Sequence, residues 1–185
     1  IGEISNRGLE LTLNTVNFRK KDFSWQSNFN ISFNRNRVLS LNEDQEVLLT
    51  VARWSTQYNT STPYIASPGK SVALFYGYVF DGIYQYSDFD QPSAGVYNLK
   101  GGIPGNGSTV VKPGDIKYRD INRDGLVNAN DMTIIGDPNP VHVGGFSNNF
   151  TYKGFDLNVF LQWSYGNQLL NANRIEFEGG SARTN

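Results

Sequence analysis

The sequence predicts an all-β chain that consists of two long antiparallel hairpins separated by a long insertion. Residues 23–33 and 155–165 each alternate apolar and polar side chains, with one exception in each stretch. A side-chain period of two is typical of a strand with one apolar and one polar face. Each of these stretches follows a second alternating stretch and a short polar link, which is the arrangement of a hairpin.

The first hairpin falls within residues 1–36. The stretch "GLELTLNTV" places leucines at alternate positions, and "FSWQSNFNISF" continues with an aromatic-rich alternate series in which only Ser27 is polar. The link "NFRKKD" between them is short and polar, so the two strands are expected to pair antiparallel. The predicted apolar face carries Leu9, Leu11, Leu13, Phe23, Trp25, Phe29, Ile31 and Phe33.

The second hairpin falls within residues 144–185. In "FDLNVFLQWSY" the apolar series takes the odd positions, and Phe160 is the exception on the polar face. The preceding "GFSNNFTY" has aromatic residues at even positions, and Gly154 in the turn "YKGF" can supply a positive φ. The predicted apolar face carries Phe146, Phe150, Tyr152, Phe155, Leu157, Val159, Leu161, Trp163 and Tyr165.

The alternation does not say what the apolar face contacts. Globular strands average about 5–6 residues, whereas a tilted membrane-spanning strand needs about 9–11, and the predicted strands fit the longer class. Aromatic residues at both ends of 155–165 resemble an interfacial girdle, but a soluble antiparallel sandwich with its apolar face inward has the same pattern. Four strands cannot close a barrel, so under the membrane interpretation the chain is a section of a larger wall. A run of about 18 apolar residues is lacking, which excludes a transmembrane helix.

Residues 37–143 separate the hairpins, and barrel proteins combine short turns at one end with long loops at the other. Within this insertion, Tyr76, Tyr78, Phe80 and Tyr84 take alternate positions of an aromatic stretch. Aromatic faces stack on sugar rings, which suggests a ligand or partner surface. The alternative is that these rings pack the insertion onto itself or onto a partner protein.

The segment "DINRDGLVNANDM" has the spacing of a calcium-binding loop. Counting Asp120 as loop position one, side-chain oxygens fall at three and five, glycine at six, a backbone carbonyl at seven and a carboxylate at twelve. Turn residues flank the segment, so the helices of an EF-hand are not expected and the loop should be a structural staple. Ca²⁺ suits such a flexible all-oxygen site better than Mg²⁺, and a metal-free Asx-rich turn is the alternative. The predicted ligands are Asp120, Asn122, Asp124, the Leu126 carbonyl and Asp131.

Composition disfavours several other functions. Lys plus Arg is 16 and Asp plus Glu is 17, so the chain has no electrostatic basis for binding nucleic acid. The chain has no Cys, so neither a disulfide framework nor a thiolate zinc site is available. An enzyme is not expected, because no spacing singles out a pair of carboxylates and the single His, His142, is expected to be structural.

The combination of motifs resembles one family. The stretch "PGDIKYRDINRDGLVNANDMTIIGDPNPVHVGGFSNNFTYKGFDLNVFLQWSYGNQLLNANR" is similar to the SusC/RagA family of TonB-dependent outer-membrane nutrient transporters of Bacteroidetes. The stretches "PGKSVALFYGYVFDGIYQ" and "NRGLELTLN" resemble the same family, and together they cover nearly the whole chain in the expected order.

The resemblance implies a section of a transmembrane barrel of about 22 strands in the outer membrane of a Gram-negative bacterium. Residues 1–36 would be the first barrel hairpin, 37–143 a long extracellular region, and 144–185 the second hairpin with the start of the next loop. It further implies a SusD-like surface lipoprotein, a TonB complex reached through an N-terminal part absent here, and an oligosaccharide or peptide ligand. The family's plug, TonB box and C-terminal strand are also absent, so this piece alone is expected to transport nothing. A secreted calcium-binding, carbohydrate-binding β-sandwich is the alternative.

Overall fold

The computed structural model describes residues 2–42, 45–51, 63–107, 110–171 and 173–174. The chain divides into two compact units, one formed by Ile1–Leu48, Ala66–Ala73 and Asp137–Asn185, the other by Leu49–Ile65 and Leu74–Gly136. None of the helices in the described ranges has the length and apolar character that a membrane crossing requires.

The described residues form an all-β structure, in which single-turn 3-10 helices lie at Tyr86–Asp88 and Ala129–Asp131. The strands in chain order are β1 Glu3–Lys20, β2 Phe23–Ser40, β3 Leu48–Thr50, β4 Tyr64–Ala66, β5 Leu74–Gly77, β6 Phe80–Ile83, β7 Phe89–Ser93, β8 Val96–Leu99, β9 Gly105–Asn106, β10 Ile116–Tyr118, β11 Leu126–Val127, β12 Thr133–Gly136, β13 His142–Tyr152 and β14 Phe155–Tyr165.

The first unit is built on one four-stranded antiparallel sheet with the order β1-β2-β13-β14. Lys21 and Asp22 alone separate β1 from β2. Lys153 and Gly154 form the other tight turn, with φ of 47° and 85°. Positive φ at both central residues matches the right-handed twist of the flanking strands, and the predicted positive φ at Gly154 is confirmed.

Cross-strand registration gathers the apolar residues of all four strands on one face of this sheet. One row runs from Leu13 through Phe29 and Phe146 to Leu161. The partner residues of such rows lie directly opposite one another, so the apolar surface is continuous from β1 to β14. The other face carries mainly Asn, Gln, Ser and Thr, so the apolar and polar faces predicted from alternation are confirmed.

A bulge in β1 changes which residues belong to the apolar face. The pairing shifts between Val16 and Phe18, so Val16 is opposite Gln26 on the polar face, whereas Phe18 is opposite Trp25 on the apolar face. One extra residue in a strand shifts the alternation, so each side chain after the bulge lies on the face opposite to the one that the earlier alternation predicts. The segment 17–20 was expected to belong to the link between strands, and this expectation was wrong, because the bulge at Asn17 lets β1 continue to Lys20.

The second unit contains short strands and a small core of its own. Its largest sheet has the order β12-β5-β4-β3. The pairs β6–β10, β7–β8 and β9–β11 form separate two-stranded sheets. The core consists of Tyr84, Phe89 and Val111, with Tyr97, Leu99 and Ile103 packed against them. The described residues of this unit thus form a folded structure, although its regular elements are short.

Candidate functional site

The apolar face of the four-stranded sheet is open. Leu157 and Leu161 are each 59% exposed, and Leu9 is 56% exposed. Phe155, next to the tight turn, is 79% exposed. Large aliphatic side chains arranged in continuous rows and left uncovered mark a surface that contacts another apolar phase.

Aromatic residues cluster at the end of this face that leads into the insertion. The ring of His142 stacks on Tyr165 with centroids 5.0 Å apart, and it lies 5.6 Å from Phe33. The Trp163 indole N–H donates to Nδ1 of His142 at 3.2 Å. A Cβ at Gly144 would lie 2.2 Å from the Trp163 ring, so the indole position depends on a glycine there. His142 is thus held by ring contacts and by one hydrogen bond within the sheet.

A second aromatic row lies at the opposite, tight-turn end. Phe18 and Phe23 have ring centroids 5.6 Å apart, and Phe23 lies 6.4 Å from Tyr152. Tyr152 is paired in turn with Phe155 on the outermost strand. The apolar face is therefore bounded by aromatic residues at both ends, as in the girdles of membrane-spanning strands.

A row of polar residues interrupts the apolar face, and it consists of Thr15, Ser27 and Asn148 on three adjacent strands. The Ser27 hydroxyl donates to Oδ1 of Asn148 at 2.7 Å, and the Trp25 indole N–H donates to the same oxygen at 2.9 Å. Because each donor has a partner within the sheet, these groups cost less in an apolar surrounding than unpaired groups would.

The aspartate-rich loop is organised by hydrogen bonds from its backbone to its own carboxylates. Asp120 accepts from the backbone N–H groups of residues 123, 124 and 125 at 2.6–3.2 Å. Oδ1 of Asn122 accepts from the N–H of Asp124 at 2.9 Å, and Asp124 accepts from the N–H of Leu126 at 2.9 Å. The predicted ligand positions therefore share one tightly wrapped loop.

Asp131 closes this loop from its far end. It is completely buried and accepts from the backbone N–H groups of Asn128, Ile121 and Asn122 at 2.8–3.3 Å. The bond from Asn128 contributes most to holding the pKa of the Asp131 carboxyl below its ordinary value, against the opposing effect of burial. A buried, ionised carboxylate is thus fixed at the loop position expected for the last metal ligand.

The loop supplies only oxygen donors, which is the chemistry that hard divalent cations prefer. Within the described ranges, however, three or more Asp, Glu, His or Cys side chains do not gather into one metal-holding group. The Leu126 carbonyl accepts from Nδ2 of Asn128 at 3.1 Å, and Nδ2 of Asn122 donates to Asp124 at 2.8 Å. The residues fit a cation by donor type and order, and their side chains bond to the loop itself in this arrangement.

The aromatic stripe of the insertion does not form one surface. Phe80 is 63% exposed, and Tyr76 and Tyr78 are half-buried. The ring of Tyr78 packs 5.2 Å from that of Tyr118. Tyr84 is only 1% exposed, which corrects its assignment to a ligand or partner surface.

The reason is that the strands break between these residues, so a period of two does not persist. β5 ends at Gly77 and β6 ends at Ile83, which turns the Tyr84 ring into the core. The Tyr84 hydroxyl donates to the Pro104 carbonyl at 2.6 Å. Burial raises the pKa of the Tyr84 phenol, and the carboxylates of Asp88 and Asp115 add to the shift.

An amide network that the sequence did not reveal holds the "GDPNP" segment in the first unit. Nδ2 of Asn36 donates to Oδ1 of Asn139 at 2.7 Å, and Oδ1 of Asn36 accepts from the N–H of Val72 at 2.8 Å. Nδ2 of Asn139 donates to the Val72 carbonyl at 3.1 Å and to Asp137 at 2.7 Å. Three distant segments are joined here, and no local pattern marks such a contact.

Known proteins with similar sequences are TonB-dependent receptors, although no family model matches the chain. Receptor P3 of Formosa agariphila is 32% identical over 184 residues, covering 100% of this chain and 17% of that protein. Receptor P26 of the same organism is 31% identical over 171 residues. SusC of Bacteroides thetaiotaomicron is 25% identical over 169 residues, covering 90% of this chain and 14% of SusC. The chain thus spans less than a fifth of the length of these relatives.

A solved structure shares the fold. The structure of the RagAB peptide importer in the open-open state aligns with a TM-score of 0.57 at 20% identity, covering 89% of this chain and 15% of that chain. At this identity the alignment shows the architecture alone, and it agrees with the strand rows described above. By sequence and by fold together, the chain is an all-β barrel section that belongs with the TonB-dependent receptors, the family that includes SusC.

Proposed function

We propose that the chain is part of the wall of a TonB-dependent importer in the outer membrane of a Gram-negative bacterium. The observation that carries this proposal is the open apolar face, which continues across four strands and has aromatic residues at both ends. β13 and β14 have 11 residues each, which is the length that a tilted strand needs to cross a bilayer. The apolar face meets lipid, and the Asn- and Gln-rich face meets the interior of the barrel.

The imported ligand is an oligosaccharide or a peptide. The resemblance to SusC/RagA transporters supports both classes, and the solved RagAB structure is that of a peptide importer. The partners in this proposal are a SusD-like surface lipoprotein and the TonB complex. Residues 37–143 lie outside the cell and contribute to the lipoprotein contact, with Phe80 as the most exposed aromatic residue of the stripe.

The rival function was a secreted sandwich that binds calcium and carbohydrate. A sandwich buries the apolar faces of its sheets against each other. Here Leu9, Leu157 and Leu161 are all more than half exposed, so the described residues do not provide such a core. The barrel wall is therefore the function that the geometry supports best.

Uptake by whole cells tests the proposal directly. Cells that carry the full-length gene, a deletion of it, or a deletion of tonB would be given fluorescent oligosaccharides and, separately, fluorescent peptides. Accumulation of one ligand class that requires both genes is the expected result. Equal uptake of both ligand classes by cells with the full-length gene and by cells with its deletion would contradict the proposal.

We further propose that the loop of residues 120–131 binds one Ca²⁺ as a structural staple. Asp120, Asn122, Asp124, the Leu126 carbonyl and Asp131 would hold the ion, and it would offset the repulsion among three carboxylates in one loop. What supports this is the all-oxygen donor set and the buried carboxylate of Asp131 at the position of the last ligand. Mg²⁺ is less suitable because it requires near-ideal octahedral geometry.

Calcium titration of the full-length protein tests the staple. Asp124→Ala should remove one bound Ca²⁺ and increase amide hydrogen exchange in residues 115–136, while both hairpins keep their protection. Asp90→Ala is the matched control, because Asp90 is an exposed carboxylate of β7 outside the loop. Equal calcium stoichiometry in the two variants would refute the site.

A further inference from the structure

The two tight turns of the sheet bring three lysines together. Lys20 and Lys21 lie in or beside the first turn, and Lys153 lies in the second. The N–H of Lys153 donates to the Asp22 carbonyl at 3.0 Å, which ties the turns to each other. A cavity of about 170 Å³ opens between them and is lined by all three lysines.

These lysines are not neutralised by carboxylates. Within the part of the chain that the structure describes, the ion pair observed is Arg119 with Asp81, far along the sequence from the turns. Asp22 is the one carboxylate among the residues that line the cavity, so its lining carries three positive charges and one negative charge. Ser24 and Thr151 also line the cavity but belong to the polar face of the sheet, where the Thr151 hydroxyl donates to Oδ1 of Asp156 at 2.7 Å. The excess positive charge of the lysines suits a phosphate.

Two of the ammonium groups are placed against the aromatic row on the apolar face. Nζ of Lys20 lies 5.4 Å from the centroid of the Phe18 ring, and Nζ of Lys153 lies 5.3 Å from that of Tyr152. In the sheet register, Lys20, Phe23, Tyr152 and Phe155 form one row across all four strands. The positive charges are therefore at the level where the apolar face ends.

We propose that Lys20, Lys21 and Lys153 bind the phosphate of an anionic phospholipid headgroup at the tight-turn edge of the bilayer. Aromatic rings settle at the boundary between hydrocarbon and headgroups, and lysines beside them reach the phosphate level. The aliphatic surface of Phe155, Leu157 and their neighbours accommodates the acyl chains next to the same site. The site anchors the wall at a fixed depth and selects lipids by headgroup charge.

This inference rests on the proposed membrane location of the sheet, and its test separates the two. The full-length protein would be placed in nanodiscs of phosphatidylcholine alone or of phosphatidylcholine mixed with phosphatidylglycerol, and retained lipids counted by native mass spectrometry. The wild type should retain phosphatidylglycerol in preference to phosphatidylcholine. Each Lys→Gln change at these positions should weaken that retention about fivefold, and the triple variant more.

Lys100, Lys112 and Lys117, all outside the sheet, provide the matched control for lost charge. Their Lys→Gln triple variant should retain phosphatidylglycerol like the wild type. If the triple variant of Lys20, Lys21 and Lys153 fails to fold, as judged by circular dichroism, the three single variants replace it in the lipid-retention measurement. Equal retention by the turn variants and the wild type, or equal loss in the control, would overturn the proposal.

A soluble-phosphate arm identifies the source of the anion. Glycerol 1-phosphate added to phosphatidylcholine nanodiscs should not reproduce the thermal stabilisation that phosphatidylglycerol gives. If it does, the site is a general phosphate site, and the lipid assignment is wrong. Failure of the protein to insert into nanodiscs would contradict the barrel-wall function. Insertion without a preference for phosphatidylglycerol would contradict only the headgroup site.

Discussion

An arginine at Leu161 should destabilise the membrane-inserted protein strongly. Leu161 is six residues beyond Phe155 on β14, and with a rise of about 3.4 Å per residue and a tilt of about 40° it lies about 15 Å above the turn-side aromatic row. The apolar band of such barrels is about 25 Å tall, so this position is near the middle. A charge on the lipid face at that depth costs about 2–4 kcal/mol. This corresponds to a decrease of about 30- to 900-fold in the folding equilibrium constant.

The adjacent Gln162 provides a matched control at almost the same depth. Its side chain is on the opposite, polar face, in register with Gly145. Gln162→Arg should change the free energy of unfolding by less than about 1 kcal/mol, because the new charge remains in water. Reversible folding of both full-length variants into vesicles, followed during urea titration, gives the two values. Equal costs at Leu161 and Gln162 would refute the lipid-facing assignment.

Three further predictions concern the edges of the wall. Gly144→Ala should destabilise by about 1–3 kcal/mol in the same titration, because its Cβ would overlap the Trp163 ring, and the indole fluorescence should change. Gly145→Ala is the comparison, because the Cβ added there would meet mainly movable side chains. A smaller loss of stability for Gly144→Ala than for Gly145→Ala would contradict this prediction. Asn139→Ala should cost about 1–3 kcal/mol and release the segment 66–73 in hydrogen exchange, whereas unchanged exchange there would disprove the amide network. Labels at exposed sites within 63–107 should react on intact cells, and labelling only after the outer membrane is broken would reverse the topology.

The hairpins were predictable because their information is local. Residues 155–165 coincide with β14, because the alternation, broken only at Phe160, and the Lys153–Gly154 turn fix both the strand and its start. β2 continues to Ser40, beyond the predicted hairpin limit at residue 36, because the polar run 34–37 conceals its alternation. The faces beyond Asn17 depend on a bulge, and a single inserted residue has no composition signal of its own.

The site residues show the same division between local and distant information. The order of oxygen donors in the loop 120–131 could be predicted from spacing, because the hydrogen bonds that organise the loop join residues within this short segment. The burial of Tyr84 could not, since it depends on where β6 ends and on packing against Phe89. The bond between Asn36 and Asn139 joins residues more than a hundred positions apart, and a single sequence does not show such pairing.

Site-directed spin labelling of β14 tests the central claim most directly, and the chain has no native Cys to interfere. Single cysteines at each position from 155 to 165 of the full-length protein, with any cysteines elsewhere replaced, would carry the label in vesicles. Collisions with lipid-soluble oxygen should be frequent at odd positions, and collisions with a water-soluble nickel reagent should be frequent at even positions. A period of two with these phases is the result we predict. Accessibility to the water-soluble reagent at Leu157, Val159 and Leu161 equal to that at Asn158 would show that the apolar face does not contact lipid.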